Sequence, residues 1–469
     1  MSSANTAKHA GSNEIRTVNP ATQQVLKTYA LMSQDHVLNI AKDVTKAHLQ
    51  WSALTPSQRA PYFLKLAAIL RKNSQHYATL MTNEMGKPIT ESIAEIEKCA
   101  VLSETLAHKA PQWLEPEHLN VDGKEHLITF ESLGTVFIIM PWNFPFWQPA
   151  KVALSPLIVG NTIILKHASN VTGSSLAFED AFIQAGFPKN VFRSVVCDHQ
   201  TSSALIASDD VAACSLTGSV GAGSKIAAEA GKHIKKLVLE LGGSDPHIVL
   251  ADADVEKAAQ GAAKGRTFNA GQVCIGSKRF IVHKAVADTF SHRVAELMKQ
   301  IRVGDPLDPK TEMGPLVNEQ AVKDMEAFVA DAVAKGAKVL AGGKRISNLK
   351  GCYFEPTLLS NTNPTMNAVC NETFGPVAPI IVVNSDEEAI KIANQTEFGL
   401  AASLWTKDLE KGKKLARQIN AGAVFINSIS KSHPLLPIGG IKKSGYGREL
   451  SHYGIKEFVN IKTINVYNP

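Results

Sequence analysis

Hydrophobic positions near the start of the chain recur with helical spacing: Val37, Ile40, Val44, Ala47 and Trp51 fall on one face, which predicts an amphipathic helix. The stretch "TPSQ" (55–58) then carries a helix start, with Thr55 as cap, Pro56 at the first helical position and Gln58 closing a capping box. Gly86 suits the stop of the helix that runs through Met81 and Met85. Further on the period changes. "HLITFESLGTVFIIM" (126–140) reads as a polar-faced hairpin running into a buried strand. Short apolar runs then alternate with helical segments: "TIILK" (162–166), "VFRSVV" (191–196), "AACSL" (212–216), "LVLEL" (237–241) and "HIVL" (247–250). Continuous apolar strands separated by helices indicate a parallel sheet covered on both faces. A second set follows Asp252, in "KRFIVH" (278–283), "KVLAGG" (338–343), "APIIVV" (378–383) and "GAVFIN" (422–427). The pattern predicts two closely packed α/β domains with a site in the crevice between them.

Composition narrows the class. With 44% hydrophobic and 20% charged residues in 469, the chain can bury a large core. Its net charge of +6 is spread along the sequence, which fits small anionic ligands and gives no nucleic-acid footprint. No apolar stretch is long enough to span a bilayer, and the opening "MSSANTAKHAGSNE" shows neither a secretory core nor a transit pattern. The six cysteines lie far apart and none forms a C-x-x-C or a zinc spacing, so no metal site is expected and a reducing, cytoplasmic compartment is.

Three residues could carry chemistry. Cys274, in "TFNAGQVCIG" (267–276), is a lone thiol among small neighbours that let a substrate approach, although an isolated cysteine is also the usual inert core filler. Glu240 ends an apolar strand just before "LGG", where a carboxylate would face the crevice as a base; it could equally pair with Lys235 or Lys236. Asn143, fenced by prolines in "MPWNFPFWQP" (140–149), offers a pinned amide donor of the kind an oxyanion needs, or is simply a turn residue. "SLTGSVGAGSKI" (215–226) joins a buried strand to a helix through glycines and presents a helix start to a phosphate, without the G-x-G-x-x-G spacing. Lys166, ending "TIILK", could meet a ribose or phosphate, or is simply the solvated end of a strand.

Together these pieces resemble the aldehyde dehydrogenase superfamily. The motifs run in order along nearly the whole chain: "PWNF" (141–144), "LKHAS" (165–169), "TGSVGAG" (217–223), "LELGG" (239–243), "FNAGQVC" (268–274), "MGPL" (313–316), "ETFGPV" (372–377) and "PIGGIKKSGYGRE" (437–449). Within it, "MPWNFPFWQ", "LKHASN", "LELGGSDP" and "GIKKSGYGRELS" are similar to the bacterial succinate-semialdehyde dehydrogenase branch. The resemblance implies a Rossmann-type cofactor domain (1–114 and 134–241), a second α/β catalytic domain (242–442) and a small β oligomerisation element (115–133 and 443–469) of a homodimer or homotetramer. It implies Cys274 as nucleophile, Glu240 as general base and Asn143 as side-chain donor to an oxyanion. Trp142, Lys166, Ser169 and Ser219 would contact the cofactor, as would Gly218, Gly223 and Leu241, with Glu372 and Phe374 on the nicotinamide side. A neutral Ser169, where many NAD-preferring members carry glutamate, favours NADP with NAD tolerated. Trp147, Lys151, Phe268 and Ser432 would line the substrate site, with Ser430 and Lys431 nearby.

Some positions depart from that branch. Lys151 stands where arginine is usual, Phe268 where some of those enzymes have arginine, Val152 where many other branches have lysine, and Ile438 where phenylalanine is usual. The expected reaction is oxidation of an aldehyde to its acid, succinate semialdehyde first. Another aliphatic or aromatic aldehyde, a CoA-acylating enzyme and a non-catalytic binding protein are the alternatives.

Overall fold

The computed structural model describes residues 13–467. The N-terminal stretch read above for a leader lies almost wholly outside them.

Local signals at the start of the chain act as their chemistry requires. Helix Gln34–Ser52 buries Val37, Ile40, Val44 and Trp51, with Ala47 partly covered. Thr55 and Gln58 form the reciprocal capping box at the head of helix Pro56–Lys72. Gly86 ends helix Ser74–Met85 with φ of 84°, and a Cβ there would stand 2.7 Å from Pro315, so both conformation and space demand glycine.

Two open sheets form the body. The first has six strands, in the order Gly445–Tyr446, Lys236–Glu240, Ala213–Thr217, Thr135–Met140, Thr162–His167, Phe192–Ser194. All but the first pair in parallel, and successive connections depart from Thr135–Met140 in opposite directions. That reversal opens a crevice beyond the carboxyl ends of the strands, the usual ligand position in such sheets. The second sheet has seven strands, in the order Lys338–Ala341, Thr357–Ser360, Val377–Val383, Arg279–His283, Pro246–Val249, Ala401–Trp405, Ala423–Ile426. Only its first pair is antiparallel. Buried strands such as Thr162–His167 and Arg279–His283 are apolar on both faces because helices cover both sides.

Three sequence readings need correction. "HIVL" belongs to the second sheet rather than continuing the first. Strands Thr357–Ser360 and Ala401–Trp405 were not anticipated. The segment 126–140 is not one hairpin: Lys124–Ser132 pairs with Glu117–Val121 and Val459–Asn465 in a separate three-stranded sheet, while Thr135–Met140 enters the six-stranded one. The hairpin turn is Asp122-Gly123, with φ of 53° and 73°, the conformation that a two-residue connection between twisted strands requires.

Candidate active site

Cys274 follows a short turn, Phe268–Gly271, in which Asn269, Ala270 and Gly271 take φ of 50°, 52° and 72°. Consecutive left-handed residues are costly and persist only where surroundings hold them. Here the supports are many. The Asn269 N–H donates to half-buried Glu91 (3.0 Å), its side-chain amide to the Asn143 carbonyl (2.9 Å), and the Val317 N–H to the Gln272 side chain (2.9 Å). Fully buried Arg266 binds the carbonyls of Gly271 and Ser277. Gly271 packs so closely that a Cβ would lie 2.3 Å from the Gly375 oxygen. The loop is a rigid platform.

Asn143 is buried at the head of the segment leading into helix Trp147–Val159, and its Nδ2 donates to the Gln272 carbonyl at 3.0 Å, two residues before Cys274. An amide carries two N–H donors, so one remains to serve an oxygen at the thiol. Glu95 fixes the helix start by accepting the Phe146 and Trp147 N–H groups, both at 2.8 Å, and pairs with buried Lys87.

Glu240 ends strand Lys236–Glu240 and is buried. Its partner is neither Lys235 nor Lys236 but Lys151, whose ammonium also contacts Glu449. One Glu240 carboxylate oxygen, Oε1, stays buried with no hydrogen-bond partner. Burial pulls the Lys151 ammonium down, yet the two carboxylates outweigh it and hold its pKa above the ordinary range. Burial pushes Glu449 up to about 8, with the Glu240 charge adding to the rise and Lys151 opposing it. The Cys274 thiol is pushed up to about 12, first by burial and then by the Glu240 charge, against Lys151 and Lys278. Glu449 was missed in the sequence: it lies inside the quoted "GYGRE", but only the reciprocal backbone bonds to Ile438 bring it here.

The cofactor candidates cluster at strand ends of the first sheet. Trp142 follows Thr135–Met140, Lys166 and Ser169 end and follow Thr162–His167, Gly218 and Ser219 follow Ala213–Thr217, and Leu241 follows Lys236–Glu240. Ser219 caps helix Val220–Lys232, accepting the Ala222 N–H at 3.3 Å. Gly223 lies so near Leu241 that a Cβ would sit 2.6 Å from its methyl, letting the helix start come close to the sheet. Glu372 accepts the Gly243 N–H (3.2 Å) and pairs with Lys278 (3.0 Å); its Oε2 lies 2.2 Å from where a Gly242 Cβ would stand. Phe374 meets Trp142 edge to face at 5.8 Å. A helix start with free N–H groups, a buried lysine at a strand end and glycine-lined backbone fit a dinucleotide.

Of the substrate candidates, Phe268 stacks on Phe144 at 6.1 Å, and Trp147 and Lys151 share a helix face. Lys151 is committed to Glu240 and Glu449, so its charge is spent inside the site. Ser432 accepts a hydrogen bond at 2.6 Å from Lys98, a residue the sequence reading passed over, whose ammonium also lies 4.1 Å from the Trp147 ring centroid.

The chain is similar to known proteins along nearly its whole length. The sequence model of the aldehyde dehydrogenase family matches residues 7–464. A protein of Synechocystis sp. named probable succinate-semialdehyde dehydrogenase [NADP(+)] is 44% identical over 451 residues, covering 96% of this chain and 99% of its own. The Escherichia coli K12 succinate semialdehyde dehydrogenase [NAD(P)+] Sad is 39% identical over 448 residues, covering 96% and 97%. The crystal structure of succinic semialdehyde dehydrogenase from Streptococcus pyogenes in complex with NADP+ superposes with a TM-score of 0.94 at 36% identity, covering 97% of this chain and 100% of its own. The chain therefore belongs to the aldehyde dehydrogenase family.

Proposed function

We propose that the protein oxidises succinate semialdehyde to succinate with NADP preferred and NAD accepted, through a thioester on Cys274. The observation that carries this reading is the convergence of a half-buried thiol, a buried amide donor bonded two residues before it and a buried carboxylate whose charge the thiol feels. The Cys274 sulfur, once deprotonated, forms a C–S bond with the aldehyde carbon. The resulting oxyanion accepts hydrogen bonds from the free Asn143 Nδ2–H and the Cys274 backbone N–H, donors fixed before the charge develops. NADP, when bound, supplies the acceptor for the hydride lost from that carbon. Water then attacks the thioester, Glu240 takes its proton, the C–S bond breaks and the acid leaves.

Lys151 has a positioning role in this scheme: it keeps Glu240 aimed and balances the two glutamates. Cofactor contacts fall to Trp142, Lys166, Ser169, Gly218, Ser219, Gly223, Leu241, Glu372 and Phe374. Ser169, neutral and following the strand that Lys166 ends, supports acceptance of a 2′-phosphate. A buried base argues against acyl transfer to CoA, where no water need be activated. We place the cofactor unit at 1–114 and 134–241, the catalytic unit at 242–442 and the bridging element at 115–133 and 443–469. The exposed apolar residues Ile461, Ile464 and Tyr467 on and beside the edge strand Val459–Asn465 support pairing between subunits of a homodimer or homotetramer. Six free cysteines support a cytoplasmic setting, and no described helix is long and apolar enough to cross a membrane.

The test is formation of reduced cofactor by purified protein with a panel of aldehydes under NADP and NAD. The reading expects the highest kcat/KM for succinate semialdehyde with NADP; a preference for uncharged aldehydes, or activity that requires CoA, would overturn it.

A further inference from the structure

The usual positive candidate of the substrate site, Lys151, is neutralised by two glutamates, and Phe268 brings an aromatic ring instead of a charge. A four-carbon substrate with a carboxylate at its far end still needs a counter-ion. Lys98, on helix Ile89–Trp113, is a second lysine at this site, and its ammonium is held against Ser432 and Trp147. Its neighbour one turn back, Glu95, is occupied by Lys87 and two backbone N–H groups. No ion pair to Lys98 occurs among the described residues; its ammonium contacts only a hydroxyl, Ser432 Oγ at 2.6 Å, and the face of Trp147 at 4.1 Å. Trp147 lies one helical turn from Lys151 on the same face, so Lys98 sits beside the catalytic carboxylate cluster without belonging to it.

We propose that the Lys98 ammonium and the Ser432 hydroxyl together grip the distal carboxylate of the substrate, and so set the preference for an aldehyde acid over an uncharged aldehyde. This rests on the proposed oxidation of succinate semialdehyde. Even a half-buried ammonium lacking a counter-charge carries a desolvation cost, and a site that keeps one is complementary to an anion. Its ionisation reflects that cost: burial pulls the Lys98 ammonium down to about 8, with the Lys151 and Lys87 charges also pulling it down and Cys99 and Glu95 holding it up.

The experiment compares succinate semialdehyde with butanal, an uncharged aldehyde of equal chain length, for the wild type, Lys98→Met, Lys98→Arg and Ser432→Ala. For Lys98→Met the ratio of kcat/KM values, succinate semialdehyde over butanal, is expected to fall about 10- to 100-fold, through KM, as befits loss of a charged hydrogen bond. Lys98→Arg is expected to recover most of it and Ser432→Ala to lose part. Succinate binding to cofactor-free protein, followed by calorimetry, should weaken in parallel. A ratio unchanged in Lys98→Met, or equal losses on both aldehydes, overturns the grip. A wild type that already prefers butanal overturns instead the substrate assignment on which it rests.

Discussion

The resting thiol is the most exacting consequence of the geometry. Cys274 retains partial solvent exposure, yet it is surrounded densely enough that burial dominates its ionisation, and the charge of Glu240 adds to the effect. With its pKa at about 12, the thiolate fraction of cofactor-free protein at pH 8 is only ~10⁻⁴, against roughly a quarter for an ordinary cysteine. The sign follows directly: a thiol with a raised pKa gains thiolate as pH rises, about tenfold per unit, up to that pKa. Alkylation by iodoacetamide, read by peptide mass spectrometry with exposed Cys370 as internal reference, should therefore climb from pH 7 to pH 10 without levelling. Two substitutions should act in opposite directions. Glu240→Gln removes a charge that raises the pKa and should speed labelling at fixed pH, whereas Lys151→Met removes one that lowers it and should slow labelling. Each pKa unit moved is worth about tenfold in rate. Labelling that levels off below pH 9, or two variants that shift alike, would refute the electrostatic description of the site.

Other consequences are simpler to state. Asn143→Ala should lower kcat about 10²–10³-fold with little change in KM, read in steady-state kinetics, because the donor acts on charge that develops only in the transition state. Lys151→Met leaves two buried glutamates without their shared cation and should cost ~3–5 kcal/mol of stability, seen as a lowered Tm at matched protein concentration; adding Glu449→Gln should recover part of it. Gly242→Ala places a Cβ where the Glu372 carboxylate lies, so dinucleotide binding followed by fluorescence should weaken while the fold survives.

How much of this the sequence discloses depends on the range of each interaction. The Thr55 capping box and the Gly86 stop are settled by neighbours in the chain, so residue type alone announces them. Parallel strands buried on both faces, such as "TIILK", are equally plain because their environment is uniform. Thr357–Ser360 escaped because four residues with polar ends make a weak run, and Ala401–Trp405 because small residues fill a crowded sheet. The Asp122-Gly123 turn was legible and overlooked, and it would have paired Lys124–Ser132 with the strand before it; the break inside 126–140 falls at Leu133-Gly134, where Gly134 takes φ of 137°. The proposed nucleophile, base and amide donor could be picked out, since each stands in a distinctive local context. Glu449 and Lys98 could not. In sequence Lys98 looks like a solvated-face lysine between Glu97 and Cys99, and its partner Ser432 is 334 residues away. Lys151 shows the same limit: its position was noticed, but its two carboxylates belong to distant strands and loops.

The central claim is a covalent acyl group on one sulfur, cleared by one carboxylate. It is tested most directly by mixing Glu240→Gln protein with succinate semialdehyde and NADP, quenching in acid and measuring intact mass and peptides. The account predicts one equivalent of reduced cofactor, no further turnover, and an adduct of about 100 Da, the mass of a succinyl group, confined to the peptide bearing Cys274. Full turnover by this variant, or an acyl group found on any of the other five cysteines, would contradict it.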